Sequence, residues 1–193
     1  AHLLPNGRIL VAGTHESGPP GNSDFYVLRL LENGSVDAAF GIFGFTVMMF
    51  DVGGDLTDTL AAMTVDRNDR ILVAGSVDVS STDIDFGVAR LLADGTLDTG
   101  FSGDGKVRID LPGSYEWISD LAVQDNGKIV VVGSRNDGGE IVVARFTTAG
   151  VLDTTFSGNG WFNRNLSPQD DIGNGVAIDG SGRQRGLDLH GAA

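Results

Sequence analysis

A seven-residue string returns twice along this chain, and that recurrence constrains its fold more than any other feature. Gly7-Arg8-Ile9-Leu10-Val11-Ala12-Gly13 comes back as Asp69-Arg70-Ile71-Leu72-Val73-Ala74-Gly75 and again as Gly127-Lys128-Ile129-Val130-Val131-Val132-Gly133. A second block trails each copy: Asp24-Phe25-Tyr26-Val27-Leu28-Arg29-Leu30, Asp85-Phe86-Gly87-Val88-Ala89-Arg90-Leu91 and Glu140-Ile141-Val142-Val143-Ala144-Arg145-Phe146. A third closes the unit: Gly34-Ser35-Val36-Asp37 with Phe40, Gly95-Thr96-Leu97-Asp98 with Phe101, and Gly150-Val151-Leu152-Asp153 with Phe156. Self-similarity at a period of roughly 40–60 residues is the signature of a repeat architecture. The stretches between the first two blocks, 17–23 and 77–83, vary in length and read as tolerant surface loops.

Each unit parses into four short strands. The first follows a Gly-rich turn, at 45–50, 106–111 and 161–166; the second lies at 60–65, 118–123 and 176–178. The Ile-Leu-Val-Ala block is the third, and the block ending in Arg-Leu or Arg-Phe is the fourth. Asn6-Gly7, Asn33-Gly34, Asp94-Gly95 and Asn126-Gly127 supply tight turns, because these residues tolerate positive φ. The third strand is apolar at every position, so it is buried on both faces, as in a blade held between two others. The expected fold is all-β: a β-propeller-like array of four-stranded antiparallel blades over residues 1–183.

In this parse two whole blades, 44–98 and 105–153, lie between a half blade at each end. Residues 184–193 form an aberrant tail, since Gln184-Arg185-Gly186-Leu187 stands where the Ile-Leu-Val-Ala-Gly string is due. The broken period reads as a fragment of a longer protein. Propellers close with four to eight blades. A homodimer offers closure: the 161–178 half of one copy joins the 8–31 half of the other, giving a six-bladed ring with two composite blades.

The pattern G-[RK]-I-[LV]-V-[AV]-G, then D-F-x-V-x-R-[LF], then G-x-[LV]-D-x-x-F, resembles the delta-60 repeat of large bacterial, often exported, proteins. The resemblance runs over about residues 3–182 in three phased units. It implies a propeller-like β-fold and an extracellular or cell-surface setting. It carries no general catalytic residues.

Composition narrows the function classes. A net charge of −13 and a pI near 4.3 argue against nucleic-acid binding, since such a chain repels phosphate. There is no Cys, hence no disulfide, thiolate metal site or cysteine nucleophile. No window approaches 18 consecutive apolar residues, so no membrane-spanning helix is expected. Much of the Gly and Asp excess is turn chemistry copied from unit to unit.

Recurring residues are read as structural. Arg29, Arg90 and Arg145, each followed eight residues later by Asp37, Asp98 or Asp153, should tie the fourth strand to the next turn. In that arrangement each carboxylate takes local N–H groups while pairing with the Arg fork. Residues read as non-repeating are the functional candidates. Tyr115, Glu116 and Trp117 lie in the loop 113–117, where the first unit has 53–57, and aromatics beside a carboxylate can stack on a sugar or peptide. The plainer alternative is that Trp117 packs between blades. His15, Ser17 and Asp24 share one loop and have the residue types of a Ser–His–Asp relay, although no nucleophile elbow or oxyanion hole accompanies them. No calcium loop and no zinc spacing is present, so neither a metal nor a cofactor is expected. The reading is a non-catalytic scaffold or binding module that meets a protein or carbohydrate through its loops. The alternative is a hydrolase of esters or glycosides with a site built from loop residues.

Overall fold

The computed structural model describes residues 1–16, 22–50, 57–113, 115–135, 139–167, 170–179 and 184–185. No helix occurs among them. The first sheet runs in the order β1 (His2–Leu3), β2 (Ile9–Glu16), β3 (Ser23–Leu30) and β4 (Phe45–Met48). The second comprises β5 (Thr59–Val65), β6 (Ile71–Ser80), β7 (Asp83–Leu91) and β8 (Lys106–Ile109). The third comprises β9 (Glu116–Val123), β10 (Ile129–Arg135), β11 (Glu140–Phe146) and β12 (Trp161–Arg164). A short pair, β13 (Ala177–Ile178) with β14 (Gln184–Arg185), follows. Every pairing within these sheets is antiparallel.

The all-β, four-stranded architecture is the one expected, but the sheets divide the repeat one strand later in each unit. The strand after the Gly-rich turn does not open the next blade. It folds back on the one just finished, with Phe25 opposite Met48 and Leu28 opposite Phe45. The cause is local. Asp37, Phe40 and Gly44 close a compact turn, with Phe40 N–H to Asp37 O at 3.0 Å and Gly44 N–H to Phe40 O at 2.8 Å. Gly41, Phe43 and Gly44 all hold positive φ there. A turn this short returns the chain alongside its own strand. The described residues therefore form three four-stranded sheets rather than two flanked by halves. β1 completes the first sheet, so the composite blades of the expected dimer lack their N-terminal half blade, and among the described residues only the two-stranded β13–β14 piece stands incomplete.

Side-chain alternation decides what each sheet buries. Leu10, Phe25 and Val27 point from the first sheet toward Ile71, Val73, Val77, Ala89 and Leu91 of the second, all fully or nearly fully buried. From the other face of the second sheet, Leu72, Ala74, Phe86 and Val88 meet Ile118, Leu121, Ile129, Val131, Val142 and Ala144 of the third. A fully buried Leu, Val or Phe contributes about 1.5–3 kcal/mol of transfer free energy. Strand β6 is buried over its first seven residues, as a blade between two neighbours requires. Gly133 is needed for close approach: β9 carries an extra residue, Ser119, opposite the Val132–Gly133 step of β10, and a Cβ on Gly133 would lie 1.8 Å from the Trp117 carbonyl oxygen.

The recurring Arg does more than tie its own strand. Arg29 Nε donates to Asp37 Oδ2 at 2.8 Å, and Nη1 reaches Ala93 O, in the following blade, at 2.6 Å. Arg90 repeats this with Asp98 at 2.7 Å and Thr148 O at 2.5 Å. Each guanidinium lies over the Phe of its own unit, 4.6 Å from the Phe40 centroid and 4.8 Å from that of Phe101. Local amides complete the Asp, as expected: Ala39 N–H on Asp37, Gly100 N–H on Asp98 and Thr155 N–H on Asp153. The next blade's turn then closes over that Phe. Gly95 has φ +90, and a Cβ there would sit 2.9 Å from the Phe40 ring. These staples gather at one end of the sheets. The hairpin joining β6 and β7 marks the other.

Candidate functional site

The hairpin end holds the residues singled out as non-repeating. Before β9 the chain crosses from one sheet to the next, and Tyr115 forms a parallel bridge with Ile84. Ser23 and Thr57 form the same bridge one blade earlier. Tyr115 therefore occupies the place of Thr57, and Glu116 that of Asp58. Asp171 holds the position again, its N–H on Gly139 O at 2.8 Å as the Asp58 N–H is on Ser23 O at 2.7 Å. An acid thus recurs at every blade junction, and Glu116 belongs to the repeat.

Strand periodicity separates the three candidates. Tyr115 and Trp117 lie on one side, rings 5.9 Å apart and inclined by 11°. Tyr115 Oη donates to Ser81 O at 3.3 Å, and Trp117 keeps 39% of its surface exposed. Trp117 is not sealed between blades; Trp161 is partly buried against the core, with Arg135 over its ring. Glu116 turns the other way and is completely buried, so it offers a ligand nothing.

Around Glu116 lies an acidic junction. Asp85, also fully buried, pairs with Arg108 through Oδ2, while its Oδ1 and both Glu116 carboxylate oxygens lack a hydrogen-bond partner. Burial first, then the neighbouring Asp85, Asp83 and Asp110, pushes the Glu116 carboxyl up to about 8. Burial likewise raises Asp85, with Arg108 pulling the other way. At the preceding junction burial raises Asp58 to about 7, helped by Asp24 and opposed by the Phe50 N–H. A protonated carboxyl beside a carboxylate suits acid–base chemistry. Here both side chains are shut from solvent, and no substrate reaches them.

Two of the three relay candidates, His15 and Asp24, lie among the described residues. Ser17 lies outside the described residues. His15 and Asp24 are opposite in the β2–β3 register. His15 is exposed, meets Tyr26 edge-on at 6.3 Å and lines a small apolar cavity of about 200 Å³ with Tyr26, Leu28 and Phe45. Asp24 is buried, and its charge acts on Asp58. Among the described residues no cluster of three or more His, Asp or Glu side chains is placed to hold a metal ion. No described helix is long and apolar enough to cross a membrane.

A search of curated proteins found no match. A family model described as a domain of unknown function (DUF5122), beta-propeller, matches residues 4–40, 67–101 and 124–156. The three stretches cover more than half of the chain, and each spans the two central strands of one sheet with its Arg–Asp–Phe staple. With the stapled, four-stranded sheets described above, they establish that the chain belongs to this β-propeller family of unknown function.

Proposed function

We propose that the chain is a non-catalytic propeller module that binds carbohydrate at its hairpin end, with Tyr115 and Trp117 as the stacking platform. The observation that carries this reading is the parallel, part-exposed aromatic pair where the connecting loop enters β9, since such faces meet the apolar faces of sugar rings. The loop setting fits recognition rather than turnover, because the paired acids nearby are buried. An extracellular or cell-surface location belongs to the same reading. So does a homodimer that completes a ring from two three-sheet chains, the outward face of the first sheet exposing Leu3 and Phe45.

The test is a fluorescence titration with neutral and acidic oligosaccharides in a Trp161→Phe background, which leaves Trp117 as the reporter. A saturable change that disappears in Tyr115→Ala is expected. Binding that survives Trp117→Ala would move the site elsewhere. A flat response to every glycan, with capture of a protein ligand instead, would replace the carbohydrate.

A further inference from the structure

The repeated junction acid is satisfied differently from blade to blade. Asp58 accepts the Phe50 N–H at 3.4 Å, and Asp171 accepts the Ser167 N–H at 3.1 Å together with that of Leu166. Glu116 has no such amide: both of its oxygens are buried without a donor, and the side-chain group within hydrogen-bonding reach is the Asp85 carboxylate. An ionised carboxylate left so in a protein interior loses its hydration with no return. Its surroundings add charge of the same sign. Asp83 and Asp85 face it from β7 and Asp110 from the end of β8. Arg108 on β8 is engaged by Asp85, and Arg135, opposite Glu116 on β10, is engaged by Glu140 and by Pro112 O. Among the described residues no cation is left for Glu116, while Asp85 Oδ1 stands free to accept.

We propose that one proton shared between Glu116 and Asp85 holds the junction of the second and third sheets, and that its loss loosens that junction. With the proton on Glu116, its hydroxyl donates to Asp85 Oδ1, and two orphaned groups satisfy each other. Without it, two carboxylates face each other in a dry interface. The device does not depend on what the hairpin end binds. It makes the module a sensor of mildly alkaline conditions, acting on the first residues of β9.

The chain has four Glu: Glu16, Glu32, Glu116 and Glu140. Selective ¹³C labelling of the Glu carboxyl therefore gives four signals, followed by NMR from pH 4 to 9 on the full chain. One is expected to titrate at least two pH units above the rest, and Glu116→Gln should remove that signal while the chain stays folded. Asp85→Asn, which keeps a donor toward Glu116, should move its midpoint down. Protection factors across β9, which remove the intrinsic base catalysis of amide exchange, should fall as pH rises to the midpoint in the natural chain and stay level in Glu116→Gln. Four carboxyls titrating below pH 6, or β9 protection factors indifferent to pH in the natural chain, would overturn the proposal.

Discussion

Replacing Arg90 by Met tests whether the staple couples neighbouring blades. Arg90 is 3% exposed and serves three partners: Asp98, the Thr148 carbonyl of the next blade, and the Phe101 ring. Met retains much of the stem packing but strands a carboxylate and a carbonyl. Removing one partner of a buried pair costs about 3–5 kcal/mol. Asp98 retains some access to water, with 13% of its side chain exposed, so the lower half of that range applies. At about 2–4 °C per kcal/mol for a chain of this size, the unfolding midpoint should fall by roughly 6–16 °C.

Arg145 is the internal control. It makes the same ion pair at 2.7 Å, but its side chain is 20% exposed and Asp153 is also held by Lys128 at 2.6 Å. Arg145→Met should cost about 1 kcal/mol, the upper end for a pair with solvent access. Asp98→Asn added to Arg90→Met should recover part of the loss by removing the stranded charge. Urea and thermal unfolding followed by circular dichroism supply all three values. If Arg90→Met costs no more than Arg145→Met, or Asp98→Asn recovers nothing, the coupling argument fails.

Gly95→Ala should destabilise by more than 1 kcal/mol in chemical denaturation, since φ is +90 and the Cβ meets the Phe40 ring, whereas Gly34→Ala, with open space around it, bears only the φ strain. Phe101→Ala, opening a cavity in the core beneath the Arg90 guanidinium, should cost about 3–5 kcal/mol by the same measurement. The midpoint of thermal unfolding should be highest near pH 5 and fall on both sides. Asp37 and Asp66 stay ionised despite burial, through local amides and their Arg partners, so their stability is present above the ordinary carboxylate range and lost as pH drops through their lowered folded-state values. Asp58 and Glu116 act oppositely, losing stability as pH rises through about 7 and about 8; a midpoint that climbs from pH 5 to 8 would contradict this sign. Chromogenic esters and glycosides should show no turnover, and turnover abolished in Ser17→Ala or His15→Ala would restore the hydrolase alternative.

The sequence made the repeat unit legible because turn chemistry and strand alternation are local. Asn33-Gly34 and Asp94-Gly95 announced their turns, and the Arg-to-Asp spacing announced an ion pair that the structure closes. The blade boundary was harder to read. Whether Phe45 pairs backward with Leu28 or forward with another strand depends on how the 40–44 turn bends, and the hydrophobic pattern is the same either way. The acid junction was less visible still. Asp85 and Glu116 are far apart in the chain, and Glu116 was judged unique because its neighbours Tyr115 and Trp117 differ so much from Thr57 and Thr59. What repeats is a burial site between sheets, and only the bridge register exposes it.

The staple reaches its neighbour through a main-chain oxygen, and the residue supplying it is Ala93 in one case and Thr148 in the other. A socket made of backbone places almost no demand on the side chain that carries it. Any unit that ends its third strand in the same turn can therefore receive the Arg of any unit before it. Blades joined this way are interchangeable parts. Duplication, loss or reordering of units leaves the joint intact, and the hairpin loops at the far end are free to diverge.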